Sequence, residues 1–514
     1  MLAETVAEAA RRFGDRPALV TEGGWSLSFT DLDRLADEAA VGMARTGVGP
    51  GDVVALVLPS GPEHIVAYLA AAKLGAVTAA VNAKLAPVER EAVLGAAGPR
   101  LVVTTADLAP DESAAALGGA RVLALDEASS PETVLGQLRV AGGAPPALPG
   151  DPARPVAVVF TSGTTGTPKG ALFCERQIAF ITRTDVGAEW GGGGKALAGS
   201  ALAHLGPMTK LAGNLRRGST QYLTRTWRAA DALRRVAELG IAAVGGVPTQ
   251  VALMLRDPDF DRYDLSSVRA IVIGGGPATP ALVREARERF GVPLSVRYSC
   301  TEAGIGTGTS FDDPAEDAEV SVGRPQPGVR LAVVDDEGRP VPQGEVGAVT
   351  LASPAVMERY WGDPSATAAA FTADGAVRTG DLGCVDERGR LRLAGRSRER
   401  YVRGGYNVHP MEVESVLADH PELAAVAMVG RPDPVMGEVG VAVVVARPGA
   451  APPDLESLRR FAGDRLARYK LPDEVRVVDA LPLTAMDKVD RRALEAMVNA
   501  PDTPDRAPGV PGRG

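Results

Sequence analysis

Residues 160–170 read FTSGTTGTPKG and continue an apolar, β-branched run, VAVVF (156–160). The run reads as a buried strand, so the loop's amides and hydroxyls emerge at a strand end. Glycines let backbone approach a ligand closely, and successive amide N–H groups form a concavity that favours anions. Thr161, Ser162, Thr164 and Thr165 add hydroxyl donors, Gly163 and Gly166 allow the close approach, and Lys169 adds a charge. The stretch reads as a phosphate cradle. It is not a Walker A loop, because its glycine–lysine spacing differs, Pro168 precedes the lysine and no Ser or Thr follows it.

The chain around this loop has 514 residues, which predicts two or three domains, at least one with a large core. Hydrophobic residues make up 45% and charged residues 23%, the composition of a globular enzyme. A net charge of −9 leaves no electrostatic footprint for nucleic acid or an anionic membrane, so an anionic ligand must be held locally. Cys174, Cys300 and Cys384 are odd in number and far apart, which argues against a disulfide framework or a zinc site and fits a cytoplasmic protein. The N-terminal MLAETVAEAARRFGDRP mixes acids with small apolar residues and reads as an amphipathic helix, not a signal peptide. The longest apolar stretch, residues 68–82, is broken by Lys73 and is too short for a membrane span.

Of 55 basic residues only Lys73, Lys84, Lys169, Lys195, Lys210, Lys470 and Lys488 are lysine. Where arginine serves generally, a lysine ranks as a candidate point contact to phosphate.

Up to about residue 390, short β-branched runs alternate with helical patterns, as in DVVALVLP (52–59) followed by EHIVAYLAAAKLG (63–75). That alternation predicts an α/β fold with largely parallel sheets covered by helices. Beyond about residue 330, Asp-Gly and Arg-Gly turns separate short strands, which predicts an antiparallel, barrel-like subdomain. After GRSRERYVRGG (395–405) the order of helices and strands predicts a small α+β unit. The expected domains are 1–396, 397–500 and a disordered tail 501–514, rich in proline and glycine.

TSGTTGTPKG resembles the signature loop of the adenylate-forming superfamily, which includes acyl-CoA synthetases, adenylation domains and beetle luciferases. Further motifs follow in that family's order. Tyr298-Ser299-Cys300-Thr301-Glu302 is similar to YGxTE, Arg378-Thr379-Gly380-Asp381 to RTGD, and Gly395-Arg396 to the start of the hinge motif. Residues 404–414, GGYNVHPMEVE, resemble GGxNIxPxEVE, and 482–491, PLTAMDKVDR, resemble PRTxxGKVDR.

The resemblance implies an acyl-CoA ligase: a carboxylic acid attacks the α-phosphorus of ATP, and the acyl-adenylate passes its acyl group to coenzyme A. It implies a large N-terminal domain and a mobile C-terminal one. Glu302 would hold Mg²⁺ beside Thr301, and residues 161–166 with Lys169 would cradle the phosphates. Gly275, Gly276, Pro277, Tyr298 and Ser299 would surround adenine, Asp381 and Arg396 the ribose, and Lys488 would meet both the carboxylate and the α-phosphate. His204, Gly246, Gly274, Cys300 and Gly304 are candidates for the acyl pocket, Gly404, Gly405 and Tyr406 for the thioesterification loop, and Arg398 for the hinge.

The chain departs from the family pattern at Asp487, where glycine is usual before the lysine, at Arg398, and at Ser299. These departures keep open an alternative in which adenylation is impaired and a preformed acyl-adenylate is thioesterified. A non-catalytic nucleotide-binding protein is the reading from another class. Free coenzyme A is the expected acceptor, because no carrier-protein segment follows. The pocket glycines are open to two readings, room for a bulky acyl group or tight turns near the nucleotide. No pocket Lys or Arg offers itself to a second carboxylate, which favours a monoacid. The identity of the acid is open, as is the oligomeric state, a homodimer being one option.

Overall fold

The computed structural model describes residues 2–111, 115–161, 168–397, 399–484 and 488–500. The chain divides into two compact units, Met1–Ala278 with Leu282–Leu393, and Thr279–Ala281 with Ala394–Gly514.

In the first unit a six-stranded sheet runs in the order Arg121–Leu125, Leu101–Thr105, Val53–Val57, Val77–Ala80, Pro155–Thr161, Lys169–Cys174. Every neighbouring pair is parallel except the last, which is antiparallel and runs up to Thr161 opposite Lys169. The inner strands Val53–Val57 and Val77–Ala80 are buried at every position, as expected of a parallel sheet covered on both faces. A second sheet orders Ala243–Gly246, Ala270–Gly274, Leu294–Tyr298, Thr307–Gly308 and Arg324–Pro325; its first three strands are parallel. A third, Ser26–Ser28, Pro17–Val20, Thr220–Leu223 and Lys195–Ala198, lies beside the N-terminal helix Leu2–Phe13 in the same core cluster. Strands Arg330–Val334, Gly347–Ala352, Val377–Val385 and Leu391–Arg396 form a four-stranded sheet, antiparallel in its first two pairings.

The helix Pro62–Leu74 has no polar face: every residue from Pro62 to Lys73 is buried. A helix buried all round must satisfy its polar side chains inside the protein. Lys73 Nζ reaches Asp33 and Asp37 on the helix Phe29–Arg45, at 2.6 Å each. Glu63 Oε1 accepts from the Ala128 amide at 3.0 Å. His64, between them in this packing, has no hydrogen-bond partner at either ring nitrogen.

The second unit is built on one sheet, Tyr406–Val408, Tyr401–Arg403, Gly437–Ala446 and Leu423–Asp433, with Glu474–Val477 parallel to Gly437–Ala446. Alternation along the long strands sorts its two cores. Met428, Ala442 and Val444 pack with helices Pro410–Leu417 and Leu455–Gly463, while Ala427, Val429, Val441 and Val443 pack with Arg491–Asn499. Arg491 grips Glu414 through its two terminal guanidinium nitrogens, the Nη2–Oε2 bond being 2.8 Å, and Glu414 Oε1 also accepts from the Met428 amide at 2.6 Å.

Among the described residues no helix is long and apolar enough to cross a membrane.

Candidate active site

The cradle residues Ser162, Gly163, Thr164, Thr165 and Gly166 lie outside the described residues, as do the hinge residue Arg398, the departure Asp487 and the tail 501–514. The two ends of the cradle are in place. Thr161 and Lys169 face each other across the antiparallel pair, so the segments flanking the cradle are two paired strands, whereas a Walker A loop leads from a strand into a helix.

The segment Met357–Trp361 runs along the strand that begins at Lys169. Glu358 N donates to Leu172 O at 2.8 Å, Leu172 N to Arg359 O at 2.9 Å, and Trp361 N to Gly170 O at 2.7 Å. This track sets Lys169 Nζ over the Tyr360 ring, 5.5 Å from its centre. It also carries Met357 N to within 2.8 Å of Glu302 O. The Tyr360 hydroxyl then donates to Glu302 Oε1 at 2.5 Å. Burial, then the Glu302 carboxylate, pushes the Tyr360 phenol upward, so it stays protonated and donates. Lys169, Tyr360 and Glu302 therefore form one row from the candidate phosphate segment to the expected metal carboxylate.

Glu302 sits on the short turn Thr301–Ala303. No group of three or more His, Cys, Asp or Glu side chains able to hold a metal occurs among the described residues. A single carboxylate suits Mg²⁺, which commonly takes one or two protein carboxylates together with waters and substrate phosphates. Desolvation of its thiol, then Glu302, raises Cys300 well above the ordinary thiol value. It stays a neutral thiol, with no nucleophilic character.

Strands Ala243–Gly246, Ala270–Gly274 and Leu294–Tyr298 end side by side, Gly246 paired with Ile273 and Gly274 with Arg297. Ligands of open parallel sheets bind outside such carboxyl ends. Gly275, Gly276 and Pro277 leave the second strand there, Gly275 with φ +80°. The Tyr298 hydroxyl donates to Asp381 Oδ2 at 2.6 Å, and both side chains are buried. Thr379 Oγ1 accepts from Asp381 N at 3.1 Å and donates to Val349 O at 2.9 Å, fixing the RTGD stretch within the strand Val377–Val385, where the register shifts around Gly380, whose φ is +77°. Tyr298, expected beside adenine, is thus also the residue that orients Asp381. Burial, then Asp381, pushes its phenol upward and keeps the proton on the tyrosine.

The glycines proposed for the acyl pocket are accounted for by close packing. A Cβ at Gly304 would stand 2.5 Å from Ala355 O, one at Gly274 3.0 Å from Arg297 O, and one at Gly246 2.7 Å from Gln250 Oε1. Backbone therefore crowds Gly304 and Gly274, while Gly246 meets the movable end of the Gln250 side chain. His204 is half-buried at the start of the helix Leu205–Arg217 and does not cap it through its side chain. A cavity of about 200 Å³ lies against that helix, with Gly206, Met208 and Asn214 on one side and His64 and Tyr68 on the other; it touches none of the five acyl-pocket candidates.

In the second unit Gly404 and Gly405, with φ +55° and +87°, make the two-residue turn between Tyr401–Arg403 and Tyr406–Val408. Positive φ at both positions is the demand of a primed hairpin turn, which glycine meets without strain. Tyr406 is 59% exposed, yet its ring stacks on Tyr469 at 4.6 Å. Arg396 is exposed at the end of the strand Leu391–Arg396, and a Cβ on Gly395 would stand 3.2 Å from His409 Cβ. Thr484 N donates to Lys488 O at 2.7 Å, and Leu483 pairs with Val489, so Lys488 is held by backbone pairing just ahead of the Arg491–Glu414 clamp.

Sequence reasoning missed Tyr360, His64 and the role of Glu414 and Arg491. The available signal for Tyr360 was scarcity: in a chain with 4% aromatic residues, Tyr360-Trp361 is an adjacent pair. Rarity misled for other lysines, since Lys73, Lys210 and Lys470 sit in ion pairs and Lys195 donates to Leu239 O.

The family described as AMP-binding enzyme matches residues 6–361, and its C-terminal domain matches residues 412–488. The fatty acid–[acyl-carrier-protein] ligase ScoC of Streptomyces coeruleorubidus is 33% identical over 96% of this chain and 95% of its own. A feruloyl-CoA synthase of an Amycolatopsis species is 32% identical over 93% of this chain and 95% of its own. Among solved structures, ATP-bound MatB from Rhodopseudomonas palustris superposes with a TM-score of 0.85 at 26% identity, covering 97% of this chain and 99% of that one.

Proposed function

Because this chain belongs to the AMP-binding enzyme family and is an AMP-forming acid–thiol ligase using ATP, Mg²⁺ and coenzyme A, we propose a division of labour among its residues. In the first step a carboxylate oxygen attacks the α-phosphorus of ATP, the bond to the bridging oxygen breaks, and pyrophosphate leaves. Two anions must meet, so the work is positional and electrostatic. Lys169 and the cradle it flanks hold the phosphates. Glu302, oriented by Tyr360, takes Mg²⁺, which when bound neutralises charge on the phosphate oxygens. Asp381, oriented by Tyr298, accepts from the ribose hydroxyls, and Gly275–Pro277 line the adenine. Lys488 is the cation that meets the acid's carboxylate and the α-phosphate.

In the second step a thiol sulfur attacks the acyl carbonyl, AMP departs with its bonding pair, and the thiol proton is released. The Gly404–Tyr406 turn serves this step. The substrate is a monoacid. The observation that carries the assignment is the row Lys169, Tyr360, Glu302, which ties the candidate phosphate segment to the metal carboxylate.

The test is a panel of carboxylic acids with ATP, Mg²⁺ and coenzyme A, followed by pyrophosphate release and by mass spectrometry of the thioester. Acid-dependent AMP and thioester support the reading, and ATP turnover indifferent to every acid overturns it. A pantetheine-bearing carrier protein is a second acceptor to assay, since ScoC is named for one; faster transfer to it than to coenzyme A would reassign the acceptor and leave the adenylation chemistry standing.

A further inference from the structure

The helix Pro62–Leu74 packs against Leu205–Arg217, the Tyr68 hydroxyl donating to Met208 O at 2.8 Å, and the cavity of about 200 Å³ opens beside this contact. It is linked to the candidate nucleotide loop through Gln250 and then Val247 and Pro248. Gln250 Nε2 donates to Gly199 O on the cavity wall at 3.4 Å, while Gln250 Oε1 accepts from Val247 N at 3.3 Å. Val247 and Pro248 in turn abut Gly275 and Gly276, where an added Cβ would stand 3.4 and 3.3 Å away.

The wall mixes apolar residues with Ser200, Asn214 and Gln221, unlike the purely apolar lining of a dry packing void. His64 belongs to that wall, is 2% exposed, and has no hydrogen-bond partner on Nδ1 or Nε2. A buried polar group without a partner is costly and calls for a reason. Rotation about a histidine's χ2 is soft, so either nitrogen can turn to the lumen.

We propose that this cavity receives the distal part of the acyl group, and that His64 selects acids bearing an uncharged hydroxyl on a ring-sized body. The proposal rests on the ligase reading above. A neutral imidazole has one donor and one acceptor nitrogen, and a hydroxyl both donates and accepts. Burial, the larger cause, holds His64 neutral with its pKa lowered to about 4; the Leu58 backbone pulls the other way but makes no hydrogen bond of normal geometry to either ring nitrogen. The one cation on the wall, Lys210, is engaged by Asp185 at 3.2 Å, so nothing there balances a second anion. The volume suits a ring, since an engineered cavity of about 150 Å³ takes up benzene.

The experiment compares 3-phenylpropanoate with its 2-, 3- and 4-hydroxyphenyl analogues, reading kcat/KM for thioester formation by the full chain and by His64→Phe and His64→Gln. The expected result is a preference of roughly 10- to 100-fold for at least one hydroxylated acid, the ratio a buried hydrogen bond supports. It is lost in His64→Phe through a fall for that acid alone, and is kept in part by His64→Gln. Turnover of 3-phenylpropanoate controls for folding, because a damaged fold lowers both acids together. A preference unchanged in His64→Phe overturns the role of His64, as does a wild type indifferent to the hydroxyl, with the ligase reading intact. Absence of turnover with every acid overturns both.

Discussion

The Tyr360 hydroxyl donates to Glu302 Oε1 at 2.5 Å across 58 positions of sequence, and the same tyrosine ring lies under Lys169 Nζ. One side chain therefore orients the expected metal carboxylate and seats the lysine that flanks the phosphate cradle. Tyr360→Phe keeps the ring and removes only the donor. Groups that orient a metal ligand are commonly worth roughly 10- to 100-fold in affinity or activity. The expected outcome is a Mg²⁺ requirement for pyrophosphate release raised by that order, with much of the rate regained at high Mg²⁺. An unchanged Mg²⁺ titration would show that Glu302 needs no help from Tyr360.

Two lysines that look alike in sequence should separate on substitution. Lys169→Met removes a charge from the phosphate cradle and should raise KM for ATP by roughly 10-fold or more, the loss of a charge-assisted contact, with little change in Tm. Lys73→Met removes a buried ammonium shared by Asp33 and Asp37. It should cost about 2 kcal/mol of stability and leave KM for ATP unmoved at temperatures where the protein is folded. Steady-state kinetics beside thermal denaturation read both, and a reversed pattern would exchange the assignments.

Arg491 and Glu414 bind through paired hydrogen bonds, and the pair fastens the helix Arg491–Asn499 to the sheet of the second unit. Arg491→Met leaves the buried Glu414 carboxylate without its cation, a loss of about 3–5 kcal/mol. Limited proteolysis should then cut within residues 394–500 first. Arg491→Lys should recover only part of the stability, because an ammonium does not reproduce the two-pronged geometry. Full recovery by lysine would mean that charge alone matters.

His64 also makes a pH prediction. Burial lowers its pKa from 6.5 to about 4. Between these values the unfolded chain binds the proton and the folded chain does not, so stability rises with pH. The contribution is fully present above the unfolded value and is lost as pH falls toward the folded one, by about 3 kcal/mol in all. His64→Phe lacks it. The urea midpoint of the wild type should fall more than that of His64→Phe between about pH 7 and about pH 4.5. Parallel falls would place the acid sensitivity elsewhere.

The strand ahead of the loop in FTSGTTGTPKG and the parallel sheets behind alternating β-branched runs and helices were legible, because both are local patterns that backbone chemistry translates directly; the antiparallel return at Lys169 was not. The order of motifs nominated Glu302, Asp381 and Lys488 as site candidates, because each is carried by a short signature. The partners of those residues were not legible. Tyr298 to Asp381 spans 83 positions and Glu414 to Arg491 spans 77, and such contacts are set by strand order and register. The glycines near the nucleotide loop were open to two readings in sequence, pocket space or tight turns; folded, Gly274 and Gly304 lie close against backbone oxygens of Arg297 and Ala355. The helix PEHIVAYLAAAKL marks the boundary most clearly. Its apolar character foretold burial, but only tertiary packing decided that Lys73 would meet Asp33 and Asp37 on the helix Phe29–Arg45 and Glu63 the Ala128 amide, while His64 was left on the cavity wall beside Leu205–Arg217. Local sequence sets which residues fold into an element, and burial of that element from all sides decides which of its polar groups are left to bind something else.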